Sequence, residues 1–320
     1  MDGAIGGLLG VIGWPLAPFL ACYSVFQVLF KDGPSEPNPI DPAIKDAARK
    51  SIGLNCEQFY NVAVVGSSGT GKSSIVNGIM GYKDSYKDAA PTGESETTKK
   101  PRAYRHPDLR SMVIWDMPGA GTMNHPASTY FEDKFLCAFD SLVIVTAERL
   151  MSIDVKIAQQ AQQFNIPVLV VRNKADQALE AKIRKMREQR SPASVPSDLA
   201  DVHQLRIQEG GSNDSNATKV SAAYEQSDEY QRLWNEAVGQ LGKEVRKTVY
   251  RDMKNYKIST RRLFTISAWN LQEFVQSLSQ QDLRRDYLRL IDENRFLKVL
   301  IEGVLLKRKR EMKKKQQHDD

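Results

Sequence analysis

The chain has 320 residues, 41% hydrophobic and 26% charged, the size and mix of one main globular domain with extensions. Its formal charge is +6, but residues 307–320 hold seven Lys/Arg against three acidic residues and so supply +4 of it. The near-neutral remainder argues against a global nucleic-acid field, and no specific nucleic acid is expected as a partner. Three dispersed cysteines, Cys22, Cys56 and Cys137, exclude a disulfide framework and a thiolate metal spacing, and they suit a reducing cytoplasmic compartment.

In chain order, residues 4–30 (AIGGLLGVIGWPLAPFLACYSVFQVLF) carry no charge. As a helix the run is long enough for a bilayer core of roughly 30 Å. Membrane insertion, spanning or re-entrant, is the favoured reading. A signal peptide lacks its basic n-region, and an apolar arm packed on protein stays open. Asp2 excludes N-myristoylation. Residues 1–33 are therefore one segment, with membrane lipid as an expected partner. Residues 34–56 form a Pro-rich linker and a short helix, with Asp41 as cap and Pro42 at its first position, running to about Ile52.

Residues 57–279 alternate short β-branched runs with amphipathic stretches. NVAVVG (61–66), SMVIWD (111–116), SLVIVT (141–146), PVLVV (167–171) and LFTIS (263–267) are expected strands buried on both faces. Expected helices are 72–81, 152–164, 177–190 and a polar stretch over 221–256. This alternation predicts an α/β fold around a mainly parallel sheet. A polar, flexible insertion is expected at 191–219. Residues 280–320 read as one long helix with an apolar stripe (Leu283, Tyr287, Leu290, Ile291, Leu297, Leu300) and a polybasic tail. The tail KRKREMKKK fits a solvated helix end, an anionic lipid contact or a nuclear or nucleic-acid patch.

Chemistry sits on five short motifs. GSSGTGKS (66–73) follows a strand and opens a helix, the P-loop context. Gly66, Ser68, Gly69, Thr70 and Gly71 let the backbone curl so that its N–H groups, with those of Ser73 and Ser74, meet phosphate oxygens. Lys72 neutralises the β- and γ-phosphates and the Ser73 hydroxyl is a Mg²⁺ ligand. The loop alone leaves ATP and GTP equally open. Asn173-Lys174-Ala175-Asp176 decides the base: the Asp176 carboxylate accepts from guanine N1–H and the exocyclic amine, a donor pair adenine lacks. Asn173 and Lys174 brace the loop and cover the base. Asp116-Met117-Pro118-Gly119 is a D-x-x-G sensor, with Asp116 reaching Mg²⁺ through water and the Gly119 amide touching the γ-phosphate. Ser267-Ala268 corroborates, its backbone amide meeting the guanine carbonyl. In PTGESETTKKP (91–101), Thr97 and Thr98 are both candidates to complete the Mg²⁺ shell when GTP is bound.

These residues resemble the immunity-related, interferon-inducible GTPases. The likeness lies in APTGESETTKKPRAYRHPDLRSMVIWDMPGAGT (90–122), together with GSSGTGKSSIVNGIMG. It covers mainly residues 45–180. The resemblance implies a P-loop NTPase with a Ras-like G domain flanked by helices, acting on the cytosolic face of an intracellular membrane. It also implies association through the GTP-bound face, hence a nucleotide-dependent homo-oligomer. Thr98 takes the Mg²⁺-binding threonine position and Glu96 the switch glutamate. Ala120 stands where small GTPases carry a water-orienting Gln. Slow intrinsic hydrolysis is therefore expected, with Lys72, Thr98 and Glu96 as the catalytic set, Glu96 orienting the water. The alternative is a GTP-bound scaffold that does not hydrolyse. Two departures stand out: the helical domain after the G domain is short, and the apolar start differs from the family's polar or lipidated ones.

Overall fold

The computed structural model describes residues 42–93, 98–190, 228–254, 262–280 and 289–319, with side chains as far as residue 306. The expected membrane segment (4–30) and the insertion at 191–219 lie outside the described residues. Among those described, no helix is long and apolar enough to cross a membrane.

The chain divides into two compact units, one drawn from residues 1–174 and 248–320 and the other from 175–247. In the first, helix α1 (Pro42–Ser51) precedes strand β1 (Tyr60–Val65), helix α2 (Lys72–Met80), and strands β2 (Arg102–Arg105) and β3 (Met112–Asp116). Next come a one-turn helix α3 (Tyr130–Asp133), a 3-10 turn (Leu136–Ala138), strand β4 (Ser141–Thr146), helix α4 (Ser152–Gln163) and strand β5 (Val168–Arg172). Helices α5 (Ala175–Arg190) and α6 (Asp228–Lys254) follow, the first of them and most of the second in the other unit. The chain returns with strand β6 (Leu263–Thr265), helix α7 (Ala268–Ser279) and helix α8 (Glu293–Asp319).

The sheet order is β2-β3-β1-β4-β5-β6. All pairs are parallel except β2, which runs antiparallel to β3 with Tyr104 opposite Ile114. This is the α/β, P-loop arrangement of a Ras-like G domain, with β1 central and its C-terminal end feeding the phosphate loop. Strands β1 and β4 are buried at every position, as their unbroken apolar runs require of parallel strands covered on both faces. Val62, Val64, Val143, Val145, Leu169 and Val171 share one face with Ile75 and Ile79 of α2, Leu271 and Phe274 of α7, and Phe296 and Leu300 of α8. Burying each such side chain contributes about 1.5–3 kcal/mol. Helix α4 packs on β4 and β5.

Helix α1 is held by charge as well as by packing. Arg49 donates from Nε to the Ala138 carbonyl (2.9 Å) and from Nη2 to Asp140 Oδ1 (3.0 Å). Asp140 in turn accepts from the Asn61 amide at the mouth of β1 (2.8 Å). The second unit is an antiparallel pair, with Lys182 and Arg190 of α5 paired to Glu244 and Glu236 of α6. A buried stripe of Leu233, Ala237, Leu241 and Val245 lines α6.

Several boundaries differ from the sequence expectation. Strand β2 was not anticipated because RAYR has no apolar run; its residues are mostly exposed at the sheet edge. Helix α5 begins at Ala175 rather than Gln177, so Asp176 lies in a helical first turn. The single helix expected from 280 is corrected: α7 ends at Ser279 and α8 starts at Glu293. Leu297 and Leu300 are buried on α8, Leu290 and Ile291 precede it, and Leu283 and Tyr287 lie outside the described residues.

Candidate functional site

The phosphate loop joins the end of β1 to α2, and two glycines permit its path. Gly66 has φ 137°, and a Cβ there would lie 2.3 Å from the Val145 carbonyl oxygen of β4. Gly71 has φ 84°, and its Cβ would lie 2.4 Å from Asn173 Nδ2. Both conformations belong to glycine, and both positions have backbone or side chain pressed against them. Thr70 Oγ1 and Lys72 Nζ each donate to the Ser67 carbonyl, at 3.0 and 2.9 Å, so the loop closes on itself. Gly69 leaves open space at its own position, and Ser68 lies against Gly119, whose Cβ would come within 3.0 Å of it.

Ser73, Thr98 and Asp116 come from three separate stretches of sequence and meet at one point. Ser73 Oγ and Thr98 Oγ1 each donate to Asp116 Oδ2 at 2.8 Å, and the two hydroxyls are 3.5 Å apart. Asp116 is fully buried at the end of β3. Its Oδ1 has no hydrogen-bond partner among the described residues. Burial pushes its carboxyl up, against the opposing pull of the Thr98 and Ser73 hydrogen bonds and of the Lys72 charge. A hard, compact cation fits this donor set: one carboxylate with an uncommitted oxygen, two hydroxyls, and room in the coordination shell for phosphate oxygens and water. No cluster of three His, Cys, Asp or Glu is present among the described residues, which sets this site apart from an all-protein metal cage.

The D-x-x-G turn is laced to the phosphate loop. The Ala120 amide donates to the Gly66 carbonyl (3.0 Å), and Ser67 and Ala120 form an isolated parallel bridge. Ala120 is buried at 3% exposure, so this position serves packing and carries no group that could orient water. Tyr130 Oη donates to the Pro118 carbonyl (2.6 Å) and fixes the turn from α3. Glu96 and Thr97 lie outside the described residues.

On the side expected to hold the base, Asn173 follows β5 and links two loops. Its Nδ2 donates to the Thr70 carbonyl (3.1 Å), and its Oδ1 accepts from the Ala268 amide (3.1 Å). Lys174 takes a left-handed conformation, φ 57°, where β5 turns toward α5. Ser267 caps α7, its Oγ accepting from the Asn270 amide. Of the Ser267-Ala268 pair, from which a backbone amide was expected to meet guanine, the Ala268 amide is engaged by Asn173 and the Ser267 amide by Glu293. Asp176 belongs to the second unit and follows Lys174 by two residues.

Three residues near the motifs were missed. Asp154, buried on α4, accepts from the Met151 amide (2.9 Å). Burial pushes its carboxyl up to about 6, although the Met151 hydrogen bond and the Lys72 charge lower it. Its signal was faint: an acid three residues past the N-cap Met151, as in a capping box. His106, in the Y-x-H-P turn, accepts at Nδ1 from the Asp108 and Leu109 amides, so its Nε2 proton faces the Ile79 carbonyl (3.1 Å). Burial lowers its pKa, and the turn thus fastens β2 and β3 to α2. Glu293, fully buried at the start of α8, accepts from the Ser267 amide (2.9 Å); nothing local in the sequence marks it.

Residues 43–194 match the family model described as interferon-inducible GTPase (IIGP). Over 134 residues the chain is 37% identical to Interferon-inducible GTPase 1 of Mus musculus, covering 42% of this chain and 32% of that one. It is 32% identical over 149 residues to T-cell-specific guanine nucleotide triphosphate-binding protein 2 of Mus musculus (47% and 36% covered). With Interferon-inducible GTPase 5 of Rattus norvegicus it shares 31% identity over 160 residues (50% and 35%). The chain thus spans about a third of the length of the relatives it matches. The phosphate loop, the D-x-x-G turn and the N-K-x-D turn all fall within the matched stretch, which is similar to the G domain of the interferon-inducible, immunity-related GTPases.

Proposed function

We propose that this chain binds GTP with Mg²⁺ and hydrolyses the γ-phosphate to give GDP and phosphate. The convergence of Ser73, Thr98 and Asp116 carries the reading. A loop that only grips phosphate needs the backbone curl and Lys72; it does not need a carboxylate and two hydroxyls gathered from three segments. Ser73, Thr98 and Asp116 hold the Mg²⁺, which neutralises charge on the β- and γ-phosphates. Lys72 supplies a second positive charge to the same oxygens, and the Gly119 amide faces the γ-phosphate. Asp176 selects guanine, because adenine would leave its carboxylate without donors. Two relatives bear GTPase names and a third is named for guanine nucleotide triphosphate binding, which supports the same choice.

Hydrolysis by the isolated chain is slow, since Ala120 offers no water-orienting group, and Glu96 takes that role when copies associate. GTP turnover measured against protein concentration tests this. Specific activity that climbs with concentration in the wild type and stays flat in Glu96→Ala is the expected result. Equal turnover by both proteins at every concentration removes Glu96 from the mechanism. No turnover at any concentration, with GTP still bound, favours the scaffold reading, for which the buried Ala120 is the specific observation.

Membrane attachment is the second part of the reading. The uncharged run at 4–30 and the basic residues at 307–315 supply two signals on one chain, the polybasic one worth on the order of 1 kcal/mol per residue near an anionic surface. The site of action is then the cytosolic face of an intracellular membrane. Flotation with anionic liposomes, for the full chain and for one lacking residues 1–33, tests it. Equal flotation excludes the N-terminal run as an anchor.

A further inference from the structure

The start of α8 grips the loop that follows β6. Asp292 Oδ2 accepts from the Thr265 amide (2.9 Å) and Glu293 Oε1 from the Ser267 amide (2.9 Å). Glu293 Oε2 accepts from the Ile291 amide, so both carboxylate oxygens are committed and the side chain has no freedom to swing. Arg295 completes the grip, with its guanidinium 4.4 Å from the Phe264 ring centroid and donating to the Leu263 carbonyl. Phe296 meets Phe264 edge-on at 5.5 Å. A fully buried carboxylate is costly to hold in a fold, and an apolar helix start would have packed on β6 more cheaply. What the carboxylate adds is position. The next amide along, that of Ala268, is bound by Asn173, whose other end holds the Thr70 carbonyl of the phosphate loop. The chain of contacts therefore runs from α8 through Ser267–Ala268 to Asn173 and the P-loop.

We propose that Glu293 is a positioning residue for guanine recognition: from the C-terminal helix it sets the Ser267–Ala268 turn against Asn173, and so decides how well the base is discriminated. The proposal rests on the guanine reading above and deepens it. It also ties that turn to the helix whose continuation carries the basic residues 307–315.

Binding of GTP and of ATP by the full chain provides the test, with Glu293→Gln as the variant. Gln keeps the shape but turns an amide N–H₂ toward one of the two backbone N–H groups, a donor facing a donor. At pH 8, where Glu293 is ionised, loss of one charge-assisted hydrogen bond predicts a GTP-over-ATP preference lowered by about 10-fold or more, with ATP affinity nearly unchanged. Phe296→Leu thins the packing of the same helix but leaves the carboxylate, so it lowers the thermal midpoint and keeps the preference within about twofold. If Glu293→Gln fails to fold, Asp292→Ala, at the less buried carboxylate, replaces it, with the same direction and a smaller drop. An unchanged preference in the folded carboxylate variant overturns the proposal. So does an equal drop in Phe296→Leu, which would make helix docking in general the cause. A wild-type chain with no preference for GTP overturns the guanine reading itself, a separate outcome.

Discussion

Lys72 shows how the phosphate loop behaves as a set of single residues. The residue is only 8% exposed and its ammonium donates to the Ser67 carbonyl at 2.9 Å, an internal contact that the phosphates of a nucleotide would replace under the proposed function. Lys72→Ala removes that hydrogen bond, worth about 1 kcal/mol to the fold, and the positive charge that acts on the buried Asp116 and Asp154 carboxylates. Nucleotide binding should suffer more. The lost contacts are charge-assisted, and GTP affinity is expected to fall by roughly 10- to 100-fold. Titration with a fluorescent GTP analogue reads the loss directly, and a variant that binds as tightly as the wild type excludes Lys72 from the site.

At the scale of elements, one junction holds the site in shape and a second fastens α1 to the rest of its unit. Gly71 starts α2 in a left-handed conformation, and an added Cβ would push on the Asn173 amide 2.4 Å away. Gly71→Ala is expected to destabilise by about 1–3 kcal/mol through backbone strain. It should also loosen Asn173 from Thr70, so nucleotide affinity falls with it; urea unfolding and a binding titration separate the two effects. The second junction is α1 on the sheet. Arg49→Ala removes two hydrogen bonds and the guanidinium facing Asp140, a side chain only 7% exposed. A loss on the order of 1–2 kcal/mol in urea unfolding is expected, without change in nucleotide affinity, because α1 contributes nothing to the phosphate loop. Elements were also where sequence reading was strongest. Continuous runs such as SLVIVT marked β1 and β4 because parallel strands are buried on both faces. It was weakest at β2, whose residues RAYR are placed by pairing with β3 and not by burial.

For the whole molecule, pH is the sharpest probe. Burial pushes the Glu293 carboxyl from 4.5 up to about 7. Between those values the folded chain keeps a proton that the unfolded chain has lost, so this residue's contribution to stability falls as pH rises through the window. Below 4.5 both states are protonated, and above about 7 both are charged. Gln never ionises. The thermal midpoint of Glu293→Gln relative to wild type should therefore rise from pH 4.5 to pH 7.5, as calorimetry at a series of pH values would record. Asp154 and Glu132, pushed up by burial to about 6 and about 7, are present in both proteins and cancel from the difference. A difference that stays flat across the window places Glu293 in a polar environment the structure does not contain.

The amino-acid sequence by itself determined the local chemistry. A turn of the pattern G-x-x-x-x-G-K-S between a buried strand and a helix points to phosphate binding. The period of the apolar runs settled the parallel sheet, and the stretch from 90 to 122 pointed to the family. These are properties of neighbouring residues, and neighbours along a chain are visible in its sequence. Only the tertiary structure decided that Thr98, and Ser73 with it, would share one oxygen of Asp116. The same holds for Asn173 bridging the phosphate loop to Ala268, and for a carboxylate from the C-terminal helix holding Ser267 in place. Those contacts join residues up to 103 positions apart. No local pattern encodes them, because hydrogen-bond partners are chosen by which buried amides the fold leaves in want of an acceptor.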